Sequence, residues 1–149
     1  MKYVESWADF LKRTNKNPTR AVDWEGRKKE WVNSIGTLYA QIETWLTPEK
    51  NEGLITFKTD RSTLREEYLG EYEAPTLSIL VGNSTVGLFP RGTLIIGSQG
   101  RIDMRGSSNQ VMLIREKAGD WKFAYRDGNK VTYEEVNSDS LKNWIQQVL

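Results

Sequence analysis

The chain has 149 residues, with 21 Lys and Arg against 20 Asp and Glu for a net charge of +1, and it contains neither His nor Cys. That composition excludes metal ligation by imidazole or thiolate, disulfides, thiol nucleophiles, the Ser-His-Asp triad and any imidazole general base. The length suits one domain with its own core, and 38% hydrophobic with 11% aromatic residues argues against intrinsic disorder.

The segment Lys2 to Arg13 sets Val4, Trp7, Phe10 and Leu11 at helical spacing, with Lys12, Arg13 and Lys16 near the negative end of the helix dipole. It holds no apolar run of signal-peptide length. No stretch approaches the roughly 18 apolar residues of a membrane span, so a cytoplasmic location without a membrane partner is expected. The absence of cysteine suits a reducing compartment. Asn17-Pro18 marks a turn. From about Trp24 to Leu46, the residues Trp31, Val32, Ile35, Leu38, Tyr39, Ile42, Trp45 and Leu46 repeat in steps of three and four, the longest helical stripe in the chain. Gly36 costs about 1 kcal/mol against Ala inside that helix and suggests a close helix crossing. Thr47-Pro48 is expected to end the helix, with Glu49 to Gly53 a polar connection.

After Gly53 the period falls to two, and Leu54 to Lys58 reads as a strand. Residues Thr63 to Glu73 fit a strand or a helix with Thr63 and Glu66 as a capping box; Gly70 and the aromatics favour the strand. From Pro75 onward short alternating runs follow one another: Leu77 to Val81, Thr85 to Leu88, Thr93 to Ile96, Ile102 to Met104, Gln110 to Arg115, Trp121 to Tyr125, and Val131 to Tyr133. They are divided by turn residues such as Gly82-Asn83-Ser84, Pro90-Arg91-Gly92, Ala118-Gly119-Asp120 and Asp127-Gly128. This predicts an antiparallel meander of about six to eight strands, open or curled toward a barrel. A last helix, capped by Ser138 or Asp139, carries Leu141, Trp144, Ile145, Val148 and Leu149 as a stripe that should dock on the sheet. The expected architecture is a single α+β domain over 1–149, helical over 1–48, β-rich over 53–136, with a C-terminal helix over 138–149.

The densest constellation runs from Phe89 to Gly106. Extended, it puts Arg101, Asp103 and Arg105 on one strand face and Ile102 and Met104 on the other, with Arg91 in a glycine-flanked turn nearby. Guanidinium forks match phosphate or carboxylate, so one reading is an anion or nucleotide-phosphate site. The other is a surface row whose charges pair with one another, as solvent-facing strands commonly do. Trp121, Phe123 and Tyr125 share a strand face and form either a stacking platform beside Arg101 and Arg105 or part of the core. Trp7, Trp24, Trp31, Trp45 and Trp144 fall on or beside helices and read as core. Gly97-Ser98-Gln99-Gly100 matches neither a Walker loop nor a dinucleotide fingerprint and reads as a hairpin turn. The acidic group Asp60, Glu66, Glu67, Glu71 and Glu73 lacks the spacing of a metal or glycosidase pair and reads as a solvated face.

The segment IIGSQGRIDMRG, Ile95 to Gly106, resembles a stretch in small bacterial proteins of uncharacterised function. The resemblance implies a bacterial source and a β-rich body and carries no catalytic or binding residue with it. With no nucleophile or base motif, balanced charge, and abundant Trp, Tyr and Arg, the leading expectation is a non-catalytic binding module acting through protein–protein contact. The alternative is a small-anion or nucleotide binder using Arg91, Arg101, Asp103 and Arg105 with Trp121 and Tyr125. A carboxylate-based enzyme ranks third. No catalytic residue, cofactor or metal is expected, and evenly spread charge gives no reason to expect duplex nucleic acid. The wide stripe over Trp24 to Leu46 leaves a homodimer open.

Overall fold

The computed structural model describes residues 6–8, 23–93 and 99–149. The helix expected over Lys2 to Arg13 lies outside the described residues apart from Ser6, Trp7 and Ala8, as do the Asn17-Pro18 turn and the strand over Thr93 to Ile96 beyond Thr93. Asp23 opens helix α1 (Trp24–Trp45) by accepting the N–H of Gly26 at 2.9 Å. Its stripe is realised, with Trp31, Ile35, Leu38, Tyr39 and Ile42 buried. The stripe that left a dimer face open is therefore taken up by the core. Gly36 is exposed, and a Cβ there would meet nothing, so no close crossing occurs at it. Pro48 does not begin an irregular connection. It starts a second short helix, α2 (Thr47–Asn51), where its missing N–H costs no hydrogen bond.

Seven strands follow in sequence: β1 (Ile55–Glu66), β2 (Gly70–Val81), β3 (Ser84–Gly92), β4 (Gly100–Arg105), β5 (Gln110–Arg115), β6 (Trp121–Asp127) and β7 (Lys130–Glu135). They pair antiparallel in chain order, forming one meander. The ambiguity over residues 63–73 resolves as a hairpin rather than one strand or a helix: β1 ends at Glu66, a turn holds Tyr68 at φ 71°, and β2 starts at Gly70. The sheet is open, not closed into a barrel. The space a barrel would enclose is filled by helix side chains, which pack on Leu77, Ile79, Leu88, Ile102, Met104, Leu113 and Phe123 in one core.

Helix α3 (Ser138–Val148) covers the far half of the same face. Its cap is Asn137, one residue before the expected Ser138 or Asp139, because Asn137 and Ser140 exchange side-chain to backbone bonds at 2.9 Å. Its end docks as expected: Ser108 and Asn109 donate their N–H groups to the Val148 carbonyl at 2.9 and 3.2 Å. Gly106 makes this possible, since a Cβ there would overlap that carbonyl. Helices α1 and α3 thus lie on one side. Among the described residues no helix covers the opposite side, which carries Arg101, Asp103 and Arg105. No helix among them is long and apolar enough to cross a membrane.

Candidate functional site

Alternation along β4 places Ile102 and Met104 in the core and Asp103 on the open face, yet Asp103 is only 3% exposed. Register explains this. Phe89 on β3 and Met112 on β5 sit directly opposite Asp103 and flank it. Arg101 Nε donates to Asp103 Oδ1 at 2.8 Å. Arg91 Nε and Arg105 Nη2 lie 3.5 and 3.8 Å from Asp103 Oδ2, within ion-pair reach. The guanidinium side chains remain 54% (Arg91), 35% (Arg101) and 47% (Arg105) exposed while the carboxylate they share is 4% exposed.

Two local features aim the cations. Between Pro90↔Ile102 and Gly92↔Arg101 the β3–β4 ladder shifts register, so Arg91 is an extra residue in a bulge inside β3, not a break ending it. The bulge is held from behind. Thr93 donates its N–H to Glu66 Oε1 at 2.8 Å, Tyr72 donates its hydroxyl to Glu66 Oε2, and Gly92 leaves the space Glu66 occupies. Glu66 is thereby a clasp rather than part of a solvated face. Further along the cluster, Gly87 is opposite Arg105, and the Phe89 ring lies across Gly87 where a Cβ would come within 2.6 Å of it. The Arg105 guanidinium sits 5.5 Å from that ring's centre, a cation–π contact that orients it.

The sequence grouped Trp121 and Tyr125 with these arginines, and the register separates them. Trp121 is opposite Arg115 and points to the helix side, where its ring lies 6.0 Å from Trp31. Tyr125 also faces the helices, 5.0 Å from Trp144. Tyr125 nevertheless lines the same cavity as Arg101, at a place where the sheet divides. The β5–β6 ladder stops at Met112↔Ala124, while β4–β5 continues to Arg105↔Gln110 and β6–β7 to Asp127↔Lys130. At this fork the Gln110 N–H bonds to the Asn109 side chain at 2.8 Å instead of to a strand.

A cavity of about 760 Å³ occupies the fork, with Arg101, Arg126, Tyr125, Glu134 and Trp144 in its lining. The carboxamides of Asn109, Gln110, Asn143 and Gln147 border it too. Trp144 Nε1 and Glu134 Oε1 are buried without hydrogen-bond partners. Sequence reasoning missed Arg126, Glu134 and Trp144 as site residues. The turn signal after Arg126 was legible, but nothing in one strand tells where its ladder to the next will stop. Among the described residues no group of three or more His, Cys, Asp or Glu is placed to hold a metal ion. No protein-family model matches the chain, and no match was found among curated proteins or solved structures.

Proposed function

We propose that this protein is a non-catalytic binding module for a small anion of the phosphate class, held by Arg91, Arg101 and Arg105. One observation carries the reading: a single buried carboxylate stands against three half-exposed guanidiniums, so the cluster has two positive charges more than it neutralises. Asp103 fixes the fork of Arg101, and the donors of Arg91 and Arg105 stay available to a ligand. The setting is cytoplasmic on this reading, supported by a chain without cysteine, and the likeness of IIGSQGRIDMRG to bacterial sequences supports a bacterial source.

Thermal unfolding with pyrophosphate tests the site. A one-site ligand at 100 times its dissociation constant adds about 2.7 kcal/mol of stability. The shift is expected in the wild type and in Lys58→Ala, and lost in the Arg91→Ala, Arg105→Ala double variant. No shift, or an equal shift in the double variant, overturns the reading.

A second reading, contact with a protein partner, is favoured by Leu80, Phe89, Val131 and Tyr133, which are exposed and share the open face with the arginines. Under that reading Leu80→Ser with Tyr133→Ser abolishes partner capture and leaves pyrophosphate binding intact.

A further inference from the structure

We propose that strand β7 is a dimer edge, pairing antiparallel with the β7 of a second copy of this chain about a two-fold axis at Thr132. The proposal goes beyond the anion reading and does not depend on it. β7 ends the strand order and is bonded to β6 alone among the described residues. Gly128, at φ 64°, and Asn129 form a two-residue turn between Asp127 and Lys130, and such a turn closes on a hydrogen-bonded pair. Alternation then aims the backbone groups of Lys130, Thr132 and Glu134 at β6 and those of Val131, Tyr133 and Glu135 outward. The Val136 N–H reaches the Trp121 carbonyl at 3.2 Å, as that alternation requires. The opposite edge of the sheet is blunted: on β1 the Arg61 N–H is held by the Asp60 side chain at 2.8 Å, and Asp60, Arg61 and Arg65 line the strand with charge. Among the described residues β7 has no such cap, its register runs without a bulge, and Val131 and Tyr133 are exposed.

Register decides what a second copy sets against β7. The free ladder groups belong to odd-numbered residues, so an added antiparallel strand completes the bonds only where odd faces odd. Centring the two-fold axis on Thr132 does this, and it sets Lys130 opposite Glu134 and Val131 opposite Tyr133, each twice by symmetry. Glu134 pairs with the buried Phe123 and shares its face, so the opposite charges meet on the helix side. The apolar pairs meet on the open face, an aromatic ring against a β-branched side chain. Centring on Tyr133 instead sets Val131 against Glu135, and centring on Val131 sets Lys130 against Thr132, so both lose the ion pairs. This match of the strand with its own reverse is what selects a second copy over a foreign strand, which needs no such match.

Sedimentation over a dilution series and single-cysteine cross-linking test the proposal. The chain has no cysteine, so Thr132→Cys carries its one thiol. Across the axis the two Thr132 residues form a non-hydrogen-bonded pair with Cα atoms about 4.5 Å apart, within the span of a disulfide. Val131→Cys and Tyr133→Cys place their thiols on diagonals of about 7–8 Å, outside it. The wild type is expected to dimerise at high concentration and dissociate on dilution, with disulfide dimers forming fastest in Thr132→Cys. Val131→Pro removes an N–H that the ladder to β6 does not use, so it should leave a folded monomer. Lys130→Glu sets like charges opposite Glu134 and should raise the dissociation constant roughly tenfold. Thermal melts report the folding of both variants, and Lys130→Glu serves alone if Val131→Pro fails to fold. A wild type that stays monomeric at every concentration, with or without another protein's strand on that edge, overturns the proposal. So does a dimer that folded Val131→Pro leaves intact. Cross-linking fastest at Val131→Cys or Tyr133→Cys overturns the axis at Thr132.

Discussion

Replacing Asp103 by Asn keeps the side chain's shape and removes the one negative charge that Arg91, Arg101 and Arg105 share. The guanidiniums then repel one another across a cluster whose centre is sealed from water. Because the arginines are themselves half-exposed, solvent screens much of that repulsion. The expected loss is about 1–3 kcal/mol in urea denaturation, of the size of a broken charged hydrogen bond, with part of it regained in high salt. A neutral result in low salt would mean that Asp103 does not hold the cluster. Two phenols show a different residue-scale effect. Burial pushes the hydroxyl of Tyr39 well above its ordinary value of 10.0, and burial together with the Glu66 carboxylate does the same for Tyr72. Tyr39 donates to the Pro75 carbonyl at 2.9 Å and Tyr72 to Glu66, so both need their protons in the fold. The unfolded chain releases them near pH 10 and the folded chain does not. This stability is present in full below pH 10 and falls as pH rises past it, by up to about 1.4 kcal/mol per pH unit for each phenol. Denaturation at pH 8 and at pH 11 should show a smaller loss for Tyr72→Phe than for the wild type.

At the scale of elements, α1 and the fork make opposite predictions. Gly36 lies in the exposed interior of α1 with nothing near a would-be Cβ, and its φ is not in the left-handed region. Gly36→Ala should therefore stabilise the protein by about 0.5–1 kcal/mol, through helix propensity and a less free unfolded chain. Destabilisation would reveal a contact at that face. The fork is a place where sheet bonding is thin. Gln110 gives its N–H to a neighbouring side chain, whereas Ile114 sits where the β5–β6 ladder is intact. Hydrogen exchange at Gln110 should be faster than at Ile114. Equal protection of the two amides without ligand would contradict the division of the sheet.

Across the described residues, helices α1 and α3 sit on one side of a seven-stranded meander, and no helix among those residues covers the charged face on the other. Much of this was legible, because each element's period is local. The step of three and four over Trp31 to Ile42 marks α1, and the alternation of Ile102 and Met104 with Arg101, Asp103 and Arg105 marks which residues share a face of β4. What depends on register was not legible. Trp121 and Tyr125 plainly share a face, yet only the chain of partners from Arg101 through Ile114 to Lys122 shows that it is the face opposite the arginines. Asp103 reads as a surface charge until Phe89 and Met112 are placed beside it. Glu66 reads as one acid among several until the hairpin carries it to Thr93. The fork is a property of two strands together and leaves no mark on either.

The arginine cluster as an anion site is most directly tested by following the Nε–H resonances of Arg91, Arg101 and Arg105 in ¹⁵N-edited NMR during titration with inorganic phosphate. Saturable shifts at Arg91 and Arg105 are predicted, with a smaller one at Arg101, whose Nε–H is already committed to Asp103. Three resonances that stay still while phosphate rises, or that move only in step with ionic strength, would contradict it.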